Sequence, residues 1–198
     1  MKIYLVRHSE SEDDLIDAYG GAADWKLTES GKKTVENFVK KCDIKFDKIY
    51  SSPLSRAYDT ASIINKGNLP IEKMFELREF NQYGVMSGCT KEKAKEIFGY
   101  LLEDPKYKEM DYYNNKVFYG GETVSQLDKR VLKAFDKITK SNANNILVVT
   151  HTGVFRSFFK QLLKCDKKVK KIGDCGMAEI SYTNGKFKLL NLSDIILQ

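Results

Sequence analysis

Met1-Lys-Ile-Tyr-Leu-Val-Arg-His8 is a short apolar run that ends in an arginine and an imidazole. Asn145-Ile-Leu-Val-Val-Thr-His151 repeats the pattern near the other end of the chain. Such runs, rich in branched side chains and bounded by polar residues, read as β-strands. The chain has 2 histidines among 198 residues, and each closes one of these runs. Imidazole changes charge near neutral pH and serves as nucleophile or general acid and base. Two look-alike placements of so rare a residue point to chemistry rather than packing.

Working outward from these runs, further strands are expected at Lys48–Ser51 and Ile71–Leu77. A terminal pair, Ala178–Tyr182 and Phe187–Leu192, is joined by Asn184-Gly185, a strong hairpin signal. Helical stripes lie between the strands. Thr28–Lys41 is amphipathic, and Leu54, Ala57, Tyr58, Ala61 and Ile64 follow a helical period. Val124 to Ile138 makes another stripe, opened by the capping-box pattern Thr123-Val-Ser-Gln126. Phe155, Phe158, Phe159 and Leu162 suggest a fourth helix. Strands alternating with helices predict an α/β sandwich around a mostly parallel sheet. Residues 89–119, rich in Lys, Glu and Tyr, read as a helical, lid-like excursion from one domain spanning residues 1–198.

Composition narrows the function. At 42% hydrophobic and 30% charged residues the chain is globular, and no apolar stretch approaches the ~18 residues of a membrane span. The run Ile3–Val6 is too short for a signal-peptide core, so the cytoplasm is the expected compartment. Cys42, Cys89, Cys165 and Cys175 are scattered, which argues against a zinc site or a disulfide framework. The net charge of +6 is carried largely by lysine, as in Lys164–Lys171. That run lacks the arginines and interleaved aromatics of a nucleic-acid reader and is expected to be a solvated face. No sequence signal sets an oligomeric state.

In sheets of this kind ligands gather beyond the carboxyl ends of the strands. Arg7-His8, Ser51-Ser52-Pro53 and His151 are thereby expected at one site. Ser52 reads as a helix N-cap with Pro53 in the first turn, which puts Arg56 where the helix dipole disfavours a cation. Several cations in one crevice are costly unless an anion sits among them, and arginines with helix N-termini suit phosphate. Phosphoryl transfer through an imidazole also needs an acid for the leaving oxygen. Glu79, just past a predicted strand end, supplies one.

Five stretches now form a series: Arg7-His8-Ser9-Glu10-Ser11, Ser51–Ala57, Leu77-Arg78-Glu79, Gly120-Gly121-Glu122-Thr123 and Val149–Arg156. In this order they resemble the signatures of the histidine phosphatase superfamily, which includes the cofactor-dependent phosphoglycerate mutases. Leu27-Thr28-Glu29-Ser30-Gly31 matches a further family element. The resemblance implies a phosphoglycerate mutase-like three-layer sandwich, a mixed, mostly parallel sheet flanked by helices. It implies that His8 takes the phosphoryl group, that Arg7, Arg56 and His151 hold its oxygens, and that Glu79 protonates the leaving group and then activates water. Glu76 is the alternative acid, because one extra residue separates Glu79 from Gly84–Gly88 relative to the family. Ser9, Asp14 and Thr152 would stand at the substrate phosphate, with neither metal nor cofactor. Ser9 and Asp14 depart from the glycine and asparagine usual at these places. A side chain at Ser9 would crowd the phosphate or donate to it, and a carboxylate at Asp14 repels a dianion unless turned away.

Residues 89–119 contain no arginine, whereas mutases commonly carry an arginine pair there to grip a carboxylate. The resemblance therefore leans to the small phosphatase branch and to hydrolysis of a small phosphorylated metabolite. Other readings stay open: mutase-type transfer, a phosphohistidine-protein phosphatase, and a phospho-ligand binder in which Ser9 and Asp14 have spoiled turnover. Tyr83, Tyr100, Tyr107, Tyr112, Tyr113 and Tyr119 are expected to pack the lid-like segment against the body, or else to stack on a substrate ring. Trp25 is expected to pack as well.

Overall fold

Alternation along the strands decides which residues meet on each face of the sheet. The computed structural model of the protein describes residues 1–66 and 69–198. Its strands are β1 (Lys2–Arg7), β2 (Lys48–Ser51), β3 (Ile71–Lys73), β4 (Asn145–Thr150), β5 (Val169–Thr183) and β6 (Lys186–Leu197). They form one six-stranded sheet in the order β3-β2-β4-β1-β5-β6. The first four run parallel, and β5 pairs antiparallel with both β1 and β6. The sheet is mixed and mostly parallel, as expected.

Ile3, Leu5, Ile146, Val148, Ala178 and Ile180 point to one face. There they meet Leu127, Val131 and Phe135 of α5 (Val124–Thr139) and Phe155, Phe158 and Phe159 of α6 (Thr152–Gln161). Val6, Ile49, Leu147 and Val149 point the other way, onto Val35 of α2 (Glu29–Lys41) and Ala57, Ala61 and Ile64 of α3 (Ser55–Asn65). Helix, sheet and helix make three layers. Each fully buried aliphatic side chain contributes about 1.5–3 kcal/mol by leaving water. The Thr123–Gln126 capping box and the Thr28 cap on Gly31 N–H are both formed.

Several expectations are corrected. The strand expected over Ile71–Leu77 stops at Lys73, and Phe75–Leu77 coils into a 3₁₀ turn. The helix after β2 begins at Ser55, not at Pro53, with Leu54 at its N-cap position. Asp24 from a separate loop takes the capping role, accepting Ser55 N–H at 2.6 Å and Ser55 Oγ at 2.9 Å. The final strands are much longer than expected. Asn184 and Gly185 make the turn with φ of 51° and 77°, as a type I′ hairpin requires. Bulges between Val169 and Lys171 and between Ile172 and Met177 break the alternation, so the early half of β5 does not read as a strand.

The excursion at 89–119 is helical only in α4 (Lys91–Leu102). Beyond it the chain turns repeatedly: Asp104 accepts Lys106 N–H and Asp111 accepts Tyr113 N–H, both at 2.8 Å. These carboxylate-to-backbone bonds replace helical ones. Met86, Ala94, Tyr107 and Phe118 form a small core beneath the segment. Tyr107 and Tyr112 are buried, while Tyr100 and Tyr119 face solvent. The four cysteines are free. Among the described residues no helix is long and apolar enough to cross a membrane.

Candidate active site

Strand register brings the sequence-distant residues together. Arg7 is paired with Thr150, and Ser51 with Val149, so β1, β2 and β4 end level with one another. The next residue of each strand is still held by its neighbour: His8 N–H donates to Thr150 O at 3.0 Å and Ser52 N–H to Val149 O at 2.9 Å. His8, Ser52 and His151 therefore stand side by side. The two imidazole centroids are 4.9 Å apart. A crevice of about 390 Å³ opens above them, lined by Arg7, His8, Asp14, Arg56, Glu79 and Thr152 among others.

The tautomer of His8 follows from its neighbour. Nδ1 lies 2.7 Å from Ser9 O, and a carbonyl only accepts, so Nδ1 carries the proton and Nε2 keeps its lone pair. His151 is fully buried against His8, with Nε2 2.8 Å from Ser52 Oγ. Ser52 Oγ accepts Leu54 N–H at 3.3 Å, and its own buried proton has one acceptor within reach among the described residues, His151 Nε2, which assigns the direction of that bond. That leaves the proton of His151 on Nδ1, which is buried without a partner. An unmade bond of this kind costs about 1–3 kcal/mol and marks a place where a ligand belongs. Burial pushes both imidazoles well below the usual histidine range, with Arg7 and Arg56 adding to the shift at His8, and Arg56 foremost among the charges at His151. Both rings are neutral at neutral pH.

Arg56 is 2% exposed, the bulkiest fully buried side chain in the protein. Its guanidinium donates to Ala23 O at 2.9 Å and Gly21 O at 3.3 Å, which ties the 20–25 loop to the crevice. Burial lowers its pKa while Asp13, Glu79 and Asp24 raise it, and a guanidinium stays charged under such opposition. Arg7 is set by β5. Its Nη1 donates to Asp174 at 2.9 Å, a residue carried on the bulge that sequence reading missed.

Glu79 Oε1 accepts Phe80 N–H at 2.7 Å and Gly153 N–H at 2.8 Å, which leaves Oε2 for the crevice. A Cβ at Gly153 would come within 2.4 Å of Phe80 Cβ and 2.5 Å of Glu79 Oε1, so only glycine lets the acid loop approach α6. Arg130, from mid-α5, donates to the carbonyls of Glu76, Arg78 and Glu79 at 2.6–3.0 Å. Its other edge grips Glu122 through two bonds of 2.5 and 2.8 Å. Arg130 positions the acid without touching the crevice floor. Glu76, the alternative acid, instead pairs with Lys133 at 3.0 Å and does not line the crevice.

Arg7, His8, Arg56, His151, Glu79 and Thr152 are thus brought together. Ser9 is not at the crevice. It is fully buried, its hydroxyl has no hydrogen-bond partner among the described residues, and its contribution is the carbonyl that fixes His8. Asp14 lines the crevice, but its Oδ2 accepts Ser11 N–H at 3.0 Å. The carboxylate is turned toward the start of α1 (Glu12–Leu15). Ser52 orients His151 instead of capping a helix. Arg156 and Asp111 line the outer crevice and were given no role by the sequence. The signal available was helical spacing, since Arg156 lies four residues after Thr152 on α6.

With this geometry in view, comparison with known proteins is specific. The family model for the histidine phosphatase superfamily, branch 1, matches residues 3–195. Phosphoserine phosphatase 1 of Hydrogenobacter thermophilus is 33% identical over 190 residues, covering 92% of this chain and 85% of that protein. A 2,3-bisphosphoglycerate-dependent phosphoglycerate mutase of Hamiltonella defensa is 39% identical over 190 residues, covering 80% and 76%. The α-ribazole phosphatase of Shigella flexneri superposes with a TM-score of 0.81 at 21% identity, over 97% and 96% of the two chains, and shares the fold. A crevice built on two imidazoles and two arginines, a matching family model and these relatives together mean that the chain belongs to the histidine phosphatase superfamily, branch 1.

Proposed function

We propose that the protein is a metal-independent phosphatase that hydrolyses small phosphate monoesters through a phosphohistidine on His8. One observation carries this reading: His8 presents a free Nε2 lone pair beside a buried, unpartnered Nδ1–H on His151 and the guanidinium of Arg56. Nε2 attacks phosphorus in line with the ester oxygen. Arg7, Arg56 and His151 Nδ1–H stabilise the phosphoryl oxygens, and the N-terminus of α6 at Thr152 adds backbone donors. The P–O bond breaks as the N–P bond forms, and Glu79 Oε2 hands its proton to the departing alkoxide. Glu79, now a carboxylate, takes a proton from water as that water displaces Nε2, releasing inorganic phosphate and restoring both residues. The volume of the crevice suits a small phosphorylated metabolite.

The test is p-nitrophenyl phosphate hydrolysis in EDTA beside His8→Ala. We expect EDTA-resistant turnover that falls by roughly 10⁴-fold or more in the variant. Activity lost to EDTA, or surviving without His8, would overturn the reading. Mutase-type transfer is the second reading, favoured by the 39% identity to a mutase. Isomerised phosphoglycerate forming faster than inorganic phosphate would select it.

A further inference from the structure

The phosphoryl half of the crevice leaves Arg156 and Asp111 without a role. Arg156 lies on α6 one turn beyond Thr152, about 6 Å along the same helix face. Thr152 is at the phosphoryl end, so Arg156 faces the part of a substrate that follows the ester oxygen. Its Nη1 donates to Asp111 Oδ2 at 2.7 Å, and its Nε is buried with no partner. Among the described residues the guanidinium makes no other hydrogen bond.

Asp111 belongs to the irregular stretch after α4, yet it is not loose. Its own Oδ1 accepts Tyr113 N–H at 2.8 Å. The next residue, Tyr112, is buried and donates to Asp128 at 2.9 Å, and Asp128 also holds Ser157 and Gln161 of α6. Tyr113 OH accepts Val169 N–H at 2.7 Å, and the Arg156 guanidinium lies 5.7 Å over the Tyr113 ring. Three consecutive residues are thereby stapled to α6, α5 and β5. The pair is preorganised at a fixed distance from the phosphoryl site.

A fixed cation–anion pair discriminates by charge. A lone carboxylate docking on Arg156 meets Asp111 as well, and a lone ammonium docking on Asp111 meets Arg156. A group carrying both charges on one carbon satisfies both and adds no net charge to the pocket. Resting on the phosphatase reading, we propose that Arg156 and Asp111 are the specificity-determining pair that reads the far end of the substrate, set for the phosphate monoester of a hydroxy-amino acid, the class for which the Hydrogenobacter relative is named. Arg156 takes the carboxylate and Asp111 the ammonium. With the phosphate this makes three attachment points, so the site distinguishes enantiomers.

The experiment compares five compounds: L-phosphoserine, D-phosphoserine, 3-phosphooxypropanoate (carboxylate only), phosphoethanolamine (ammonium only) and p-nitrophenyl phosphate (neither). We expect kcat/KM for one enantiomer of phosphoserine to exceed those of the other and of both singly charged analogues by roughly tenfold or more. Arg156→Gln lowers kcat/KM for phosphoserine and 3-phosphooxypropanoate by about 10- to 100-fold. Asp111→Asn lowers it for phosphoserine and phosphoethanolamine and spares 3-phosphooxypropanoate. Both variants lose less on p-nitrophenyl phosphate, which carries neither charge, than on phosphoserine, and circular dichroism reports that they fold. Equal losses on every substrate, or no enantiomer preference in the native protein, would overturn the proposal. Calorimetric binding of the same compounds to His8→Ala measures the preference without chemistry. Selective binding without turnover in the native protein would thus fail the phosphatase reading and keep the specificity, and turnover without selectivity would do the reverse.

Discussion

A single carbonyl sets the chemistry of His8. Ser9 O accepts from Nδ1, and the lone pair is left on the nitrogen that faces the crevice. Glu79 has the complementary arrangement, with one oxygen held by two backbone N–H groups and the other open. Glu79→Gln keeps that shape but can neither give nor take a proton. With p-nitrophenyl phosphate, whose leaving group needs no acid, we expect a rapid burst of p-nitrophenol followed by turnover slowed about 10²- to 10⁴-fold. Stopped-flow absorbance reads the burst. A uniformly slow reaction with no burst would show that Glu79 is not the base of the second step. Both histidines and both arginines were legible as residues, because each sits at a strand end or in the first turn of a helix, whereas Glu79 follows a 3₁₀ turn six residues beyond the end of β3 and was legible only through the Leu77-Arg78-Glu79 resemblance. The placement of the Ser9 and Asp14 side chains was not legible, since Ser9 is fully buried off the crevice and Asp14 is turned away by Ser11 N–H.

Elements show the same division. Strands β1, β2 and β4 and the helices against them were readable from their periods, because each buries residues in regular alternation. Features that depend on a distant partner were not. The start of α3 follows Asp24, and the early half of β5 is disguised by its bulges. Arg130 belongs to this second group: nothing in α5 reveals that its side chain crosses to the carbonyls of Glu76, Arg78 and Glu79. A lysine there keeps the charge but cannot span three carbonyls and Glu122 at once. We expect Arg130→Lys to lower kcat by about 10- to 100-fold through misplacement of the acid, with KM little changed. The loss should be larger for alkyl phosphates than for p-nitrophenyl phosphate. Equal losses on both, tracking a lowered Tm, would make Arg130 a purely structural residue.

At the scale of the molecule, two neutral imidazoles buried under arginines tie stability to pH. Unfolded histidine binds its proton near pH 6.5, whereas burial holds both folded groups below that. The unfolded state therefore takes up more protons as pH falls from 7 toward 5, and the two histidines cost stability over that window. An anion in the crevice reverses the balance by favouring imidazolium. Sulfate remains a dianion throughout, so millimolar sulfate should raise Tm more at pH 5.5 than at pH 7.5. At 100-fold its Kd it adds about 2.7 kcal/mol. Differential scanning calorimetry measures this, and a pH-independent gain would mean that sulfate binds away from the histidines. The same crevice joins residues from β1, α3, the Glu79 turn, the stretch after α4 and α6. That is why the phosphoryl end, built on strand ends, could be read from sequence, and the Arg156–Asp111 end could not.

The phosphohistidine itself is most directly observed by rapid acid-free quench of Glu79→Gln during turnover, with peptide mapping by mass spectrometry. We expect a phosphoryl group on the peptide that contains His8, stable to base, labile to acid, and absent from the His8→Ala, Glu79→Gln double variant. Phosphate on any other residue, or an acid-stable adduct, would contradict a nucleophilic His8.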